Sequence, residues 1–292
     1  MLSHLSPQPV PPARVVVIGA GGFVGNAIAA RLQNNRVPVL RLARRDIDLL
    51  APNASDRLAA LLRPDDVLVA VAALAPCRNV RMLHDNIGLA LAMVEAAKRV
   101  ALAHVVNISS DAIYADSADP LTERSTAAPD NLHGVMHLAR ETMFRSEITV
   151  PLTMLRPTLI YGAGDPHNGY GPNRFRRLAA KGEPIVLFGK GEERRDHVLI
   201  DDVAQLAANV IYRRSTGVLN IATGQVASFR EIADTVVRLS GRPVPIRETE
   251  RSGPMPHNGY RPFDTADCRA AFPDFAFTPL TEGLALAQRE AS

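Results

Sequence analysis

The segment Gly19-Ala20-Gly21-Gly22-Phe23-Val24-Gly25 limits the fold more than any other stretch of the chain. A β-branched run, Val15-Val16-Val17-Ile18, leads into it, and residues 26–34 follow with Ile28 and Leu32 on one helical face. At such a strand-to-helix corner one glycine permits the tight turn, a second lets the backbone approach a pyrophosphate, and a third lets helix and strand pack closely. The helix N-terminus adds unbonded N–H groups and the positive end of its dipole. The turn therefore reads as the start of a dinucleotide site, with Gly19, Gly22, Phe23, Val24 and Gly25 as cofactor contacts.

Strand-like and helix-like segments alternate through the first half. Strands are expected at 37–42, 67–71, 104–108 and 152–155, and helices at 58–62, 86–100 and 132–148. That alternation is the pattern of a doubly wound parallel sheet. It breaks after Tyr161, where residues 162–172 hold four glycines and two prolines and read as a long functional loop. Helices at 174–181 and 201–212, a strand at 218–221 and a helix capped by Ser228 come next, and proline and glycine dominate 241–262. The expected fold class is α/β, a Rossmann-type doubly wound parallel sheet with a small C-terminal substrate lobe. Residues 13–161 plus 196–226 would form the dinucleotide-binding domain, 162–195 plus 227–292 the lobe, and 1–12 a disordered N-terminus.

Composition removes several function classes. The net charge is +3 and the basic residues are scattered, with no basic block interleaved with aromatics, so no nucleic-acid partner is expected. No stretch approaches the roughly 20 apolar residues of a membrane span, so no membrane partner is expected either. Residues 1–12 lack the apolar segment of a signal peptide, and Cys77 and Cys268 fit no paired or zinc-type spacing. Two reduced thiols in a cytoplasmic protein follow. A homodimer is compatible with this reading.

The end of the second strand bears on which cofactor binds. An acidic residue there suits the adenosine ribose of NAD, and an Arg suits the 2′-phosphate of NADP. The sequence reads Leu40-Arg41-Leu42-Ala43-Arg44-Arg45 with no acid at the strand end. Arg44 and Arg45 thus favour NADP, with NAD as the alternative, and Asp48-Leu49 would face the adenine.

At this point the chain resembles the extended short-chain dehydrogenase/reductases, the family of nucleotide-sugar epimerases and dehydratases. The resemblance runs from about Arg14 to the tail. It rests on Gly19, Gly22 and Gly25, on Asn86, and on Ser109-Ser110-Asp111-Ala112-Ile113-Tyr114. It rests also on Leu155-Arg156-Pro157 with Tyr161-Gly162, and on Arg195-Asp196-His197-Val198 leading to Asp201-Asp202-Val203. It implies cofactor contacts at Ala72, Ala73, Asn86 and Pro157. It implies substrate-diphosphate contacts at Arg195 and Arg261, with Arg174 beside the sugar.

The resemblance also shows a departure. The family's catalytic set is a Ser or Thr with Tyr-x-x-x-Lys on one helix. Ser110 matches the first, but the helix reads His133-Gly134-Val135-Met136-His137-Leu138-Ala139-Arg140-Glu141. No tyrosine in the chain has a lysine four residues on. Three readings of the pair stay open. His titrates near 6.5, so His133 would exchange a proton without help from a lysine, and His137 would hold the nicotinamide ribose. Alternatively the redox chemistry is lost and the protein binds NADP as a regulatory or non-redox protein. Histidines at i and i+4 also match zinc chelation, but no third ligand is evident and no metal is expected. Asp111 follows Ser110 where dehydratases of the family carry Asp-Glu. Ala112 takes the second place, so Asp111 is a catalytic candidate or a loop cap. The leading expectation is an NAD(P)-dependent epimerase or reductase acting on a nucleotide-linked sugar or related carbonyl compound, with Ser110, His133, His137 and Asp111 at the reacting centre.

Overall fold

A computed structural model describes residues 2–290. In chain order the first half contains β1 Ser3–His4, β2 Val15–Ile18, α1 Phe23–Asn34, β3 Val39–Leu42, α2 Ala54–Ala59, β4 Val67–Ala70, α3 Val80–Ala97, β5 His104–Ile108, α4 Leu132–Glu147 and β6 Leu152–Pro157. The second half contains β7 Leu159–Tyr161, α5 Pro172–Lys181, β8 Ile185–Phe188, β9 Arg194–Leu199, α6 Ile200–Tyr212, β10 Ser215–Ile221, β11 Val226–Ser228, α7 Phe229–Ser240, β12 Ile246–Thr249, β13 Tyr260–Arg261, α8 Ala266–Ala271 and α9 Leu280–Arg289.

β2, β4 and β5 are buried along their whole length, because helices cover both faces of the sheet. Among the described residues seven strands form it, in the order β1-β10-β6-β5-β4-β2-β3. All neighbours are parallel except β1 on β10. On one face α1 and α6 pack through Ile28, Leu32, Val203 and Leu206. On the other α2, α3 and α4 pack through Leu58, Met93 and Phe144. The chain leaves β2 for β3 on one side and then places β4 on the other. A crevice opens at the carboxyl ends of the strands where the order reverses in this way.

A second core lies apart from the sheet. Tyr161, Phe175, Ile185, Leu187, Phe229, Ile232 and Leu284 fill it, joining α5, α7 and α9 to the β8–β12 pair. Ser228 caps α7 in a reciprocal box with Glu231. β9 pairs with β7, β11 and β13, so the boundary expected at residue 196 falls inside a strand of this second unit.

The N-terminus requires a correction. Residues 2–12 are not a disordered leader, and Met1 lies outside the described residues. Ser3 and His4 pair with Thr216 and Ser215, and His4 bonds the Ser215 hydroxyl at 2.8 Å and the Ala271 carbonyl oxygen at 2.9 Å. Proline-rich composition argued for disorder. The tertiary structure supplies what composition cannot show, an open edge of β10 for the segment to pair with. No helix of the described residues is long and apolar enough to cross a membrane.

Candidate functional site

The glycine turn fits its corner through contacts that a side chain would destroy. Gly19 has φ +93°, and a Cβ there would lie 2.6 Å from the Ala72 nitrogen. A Cβ on Gly25 would lie 2.3 Å from the Gly19 carbonyl oxygen. These two positions lock α1 against β2 and against the chain leaving β4. Gly22 caps α1 without any side-chain hydrogen bond, and the first turn carries no acid. The helix end is therefore free to take an anion. A cavity of about 980 Å³ starts at this turn. Gly19, Gly22, Phe23, Val24, Gly25, Ala72, Ala73 and Pro157 all line it.

Arg44, Arg45, Asp48 and Leu49 line its outer end. The side chains of Arg44 and Arg45 are 78% and 89% exposed and approach Asp48 and Asp46 only at 3.8 and 3.9 Å. Such pairs are weak in water, so both guanidinium groups remain available to a phosphate. Asn86 differs from its expectation. It lies behind the wall, accepting from the Leu74 amide at 2.8 Å and donating to the Leu74 and Met82 carbonyls at 3.0 and 2.8 Å. It braces the wall of the cavity and does not line it.

At the inner end Ser110 closes β5 and starts a short 3₁₀ turn. Its hydroxyl donates to Asp111 Oδ1 at 3.3 Å and accepts from the Ala112 amide at 3.2 Å. α4 lies directly on this turn, because Gly134 leaves no Cβ where one would meet the Ala112 oxygen at 2.1 Å. That approach brings His133 and His137 into the same cavity as Ser110 and Asp111. The two imidazole rings stand edge to face, with centroids 4.7 Å apart.

Burial pushes His133 below its ordinary pKa, and His167 adds to this while Asp111 opposes it. His137 is pushed well below, first by burial, then by His133 and Arg140. Both rings are therefore neutral at pH 7. The Cys77 amide donates to His133 Nδ1 at 3.4 Å. An amide can only donate, so the neutral His133 ring carries its proton on Nε2.

Asp111 is held from the second unit. Arg261 on β13 donates to its Oδ2 at 3.2 Å and to its carbonyl oxygen at 2.9 Å. With one carboxylate oxygen on Arg261 and the other on Ser110, Asp111 fits a hydrogen-bond acceptor better than a proton donor. Arg195 also lines the cavity. It pairs with Glu193 at 2.5 Å, and its Nη1 is buried without a partner among the described residues. Arg174 is not in the cavity. α5 turns Phe175, Arg176 and Ala179 inward, which leaves Arg174 exposed on the opposite side.

Several contributors were not expected from the sequence. Asp165 and His257 line the cavity as well, beside His167 of the loop expected on the sugar side. Arg140 stands one turn along α4 from His137, held by Asn107, and the Cys77 amide donates to His133. Only Arg140, on the same helix side as His137 and Phe144, was a visible signal. The amide contact depends on how the segment after β4 folds back.

With this geometry in view, the chain can be compared with known proteins. A family model described as the NAD dependent epimerase/dehydratase family matches residues 15–222. A dTDP-4-dehydro-6-deoxy-D-allose reductase of Streptomyces bikiniensis is 25% identical over 277 residues, spanning 80% of this chain and 83% of that protein. A structure of MoeE5 in complex with UDP-glucose and NAD superposes with a TM-score of 0.79 at 26% identity, covering 94% of this chain and 97% of that one. The UDP-glucose 4-epimerase of Thermus thermophilus, in complex with NAD, has a TM-score of 0.83 at 21% identity, covering 95% and 98%, which shows a common fold.

Proposed function

The chain belongs to the NAD dependent epimerase/dehydratase family, and on that premise we propose that it is an NAD(P)-dependent enzyme of epimerase or reductase type acting on a nucleotide-linked sugar. The observation that carries this reading is one continuous cavity. The glycine turn lies at one end, Ser110 and His133 within, and Arg195 and Arg261 on the side of the second unit. The division of labour is cofactor on the sheet and substrate between sheet and second unit.

The residues present fit a dinucleotide, since the glycine turn is a cradle that a Cβ would fill and the α1 N-terminus is uncapped. Gly19, Gly22 and Gly25 would hold its phosphates, and His137 and Pro157 its nicotinamide end. The cofactor, when bound, would accept or supply hydride. Ser110 would bind the reacting oxygen of the sugar. Arg195 and Arg261 would hold the diphosphate through planar, multiply donating guanidinium groups.

His133 takes the place of the usual tyrosine. With its proton on Nε2 it meets a substrate carbonyl as a donor. To accept a proton from a hydroxyl at Nε2, the ring must first shift tautomer and release the Cys77 amide.

Two results test the proposal. Turnover measured by reduced-nicotinamide absorbance on UDP- and dTDP-linked sugars and keto sugars should fall about 10²–10⁴-fold in His133→Phe, the range of a lost acid–base group. Cofactor affinity should change only slightly. If neutral His133 is the working form, kcat/KM falls on the acid side as the ring is protonated. The inflection should lie below 6.5, because burial lowers this pKa. An inflection above 6.5, or native turnover in His133→Phe, rejects the role. No turnover on any substrate with tight cofactor binding would replace this reading by that of a binding protein.

NADP is the preferred cofactor within this proposal. Changing Arg44 and Arg45 together to alanine should weaken NADP binding at least about tenfold, the effect of one charge-assisted hydrogen bond. NAD binding should stay within a few-fold. Equal loss for both cofactors would remove the 2′-phosphate role from these residues.

A further inference from the structure

Arg140 is 1% exposed, and among the described residues no carboxylate faces it. Its Nε donates to Asn107 Oδ1 at 2.7 Å, Nη1 to the Ala72 carbonyl at 2.5 Å and Nη2 to the Ala70 carbonyl at 2.8 Å. The Phe144 ring lies 5.9 Å from the guanidinium carbon. Fully buried arginines are rare, and rarer without an anion. Burial lowers its pKa to about 10, which leaves it charged at neutral pH. Arg140 lies three residues beyond His137 on α4, on the same side of the helix. Ala72, whose carbonyl it holds, lines the cavity and touches the glycine turn. A buried positive charge without an anion thus sits one turn along α4 from His137.

We propose that Arg140 is the charge-setting positioning residue of this site: its guanidinium is a buried positive charge that no carboxylate offsets, one turn along α4 from His137, and it keeps a second charge off that ring. The ring that stands edge-on to His133 then stays uncharged. The charge that the family carries on the lysine of its Tyr-x-x-x-Lys pair is here moved one turn along the helix.

The other groups facing the pair do not supply that charge. Asp111 is an anion already held by Arg261. Glu141, next to Arg140 in sequence, is spent on Arg156 and Arg145. His167 lies on the loop side and lowers the pKa of His133, whereas Arg140 acts on His137. Nothing on β4 or β5 facing Arg140 is ionised, only carbonyl and amide oxygens.

The proposal rests on the reading of the cavity as a reaction site. Its test uses the ligand-free protein, so the two can fail separately. Histidine Cε1 resonances of protein labelled with [¹³C]histidine are followed from pH 8 to pH 5. In the native protein His137 should not titrate in this range. Arg140→Lys, which keeps the charge and loses the fork, should behave alike. Arg140→Met should bring the His137 titration into this range, as removal of a nearby like charge raises the pKa of a cation.

Where Arg140→Met does not fold, Asn107→Asp keeps the guanidinium and its packing but gives it an anion, and the same upward shift is expected. A native His137 that protonates above pH 6 overturns the proposal. So does a folded Arg140→Met whose two histidines titrate as in the native protein, or an Asn107→Asp that leaves them unchanged. Either variant result would leave Arg140 as a structural pin for the end of β4.

Discussion

Gly25→Ala is expected to remove cofactor binding and to destabilise the fold at the same time. The new Cβ would lie 2.3 Å from the Gly19 carbonyl oxygen and 2.8 Å from its carbonyl carbon. Both are backbone atoms of a turn that cannot rotate away, and Gly19 is itself against Ala72. Relief requires α1 to lift from β2. That breaks the packing of Ile28, Ala29 and Leu32, all fully buried. Overpacking of this kind costs about 1–3 kcal/mol. The displaced helix end no longer presents its amides to a phosphate, so affinity should drop at least about 100-fold, equivalent to about 2.7 kcal/mol.

Gly22→Ala is the internal control. Its nearest contact would be an ordinary 3.4 Å to the Gly19 oxygen, so its melting temperature should stay near native. Thermal melting and fluorescence titration with reduced cofactor measure both effects. A Gly25→Ala protein that melts and binds like the native one would show that the turn can adjust.

Glu141→Gln should cost about 3–5 kcal/mol, the cost of leaving one member of a buried ion pair alone. Glu141 is fully buried and Arg156 is 4% exposed. The guanidinium donates to both carboxylate oxygens, at 2.9 and 2.7 Å. In the Gln variant Arg156 loses the negative charge and one of two side-chain acceptors, and its other partners are the neutral Tyr114 hydroxyl at 2.7 Å and Glu123 carbonyl at 3.3 Å. For a domain stable by about 5–15 kcal/mol this is a large share.

The pH dependence follows in sign. Hydrogen bonding and charge from Arg156 outweigh burial and hold Glu141 below its usual 4.5. Its contribution is therefore complete above 4.5 and disappears as pH falls through the lower folded value. Urea melts at pH 7 and at pH 4 read both effects. A Glu141→Gln protein within about 1 kcal/mol of native at pH 7 would contradict the pairing, on the scale of such losses. The double change Glu141→Leu with Arg156→Met should recover much of the loss, since no lone charge remains.

Much of the cofactor end was legible because it depends on local rules. A strand, a glycine-spaced corner and a helix form one continuous segment, and its chemistry is carried by backbone groups whose place the glycines specify. The neighbours Arg44, Arg45, Asp48 and Leu49 follow at a fixed distance along the next strand. Ser110 and His133, each singled out by a local pattern, line the same cavity.

Other expectations failed where the outcome depends on distant partners. Arg174 faces outward because packing of Phe175 into the second core sets the rotation of α5. Asn86 became a brace because the chain after β4 folds over α3. Residues 2–12 are ordered because β10 offers an edge more than 200 residues away.

By itself, then, the sequence determined the doubly wound sheet, the glycine turn and the presence of His133 and His137 four residues apart on one helix, where the family resemblance led to the expectation of Tyr-x-x-x-Lys. All three rest on periodicity, on glycine's missing Cβ and on residue identity, which need no distant contact. Only the tertiary structure decided the state of the exchanged pair. The Cys77 amide fixes where the His133 proton sits, and burial beside Arg140 keeps His137 neutral. Asp111 is tied to Arg261, 150 residues along the chain. Charge and tautomer are set by what surrounds a ring in space, and those neighbours come from segments that the linear order keeps apart.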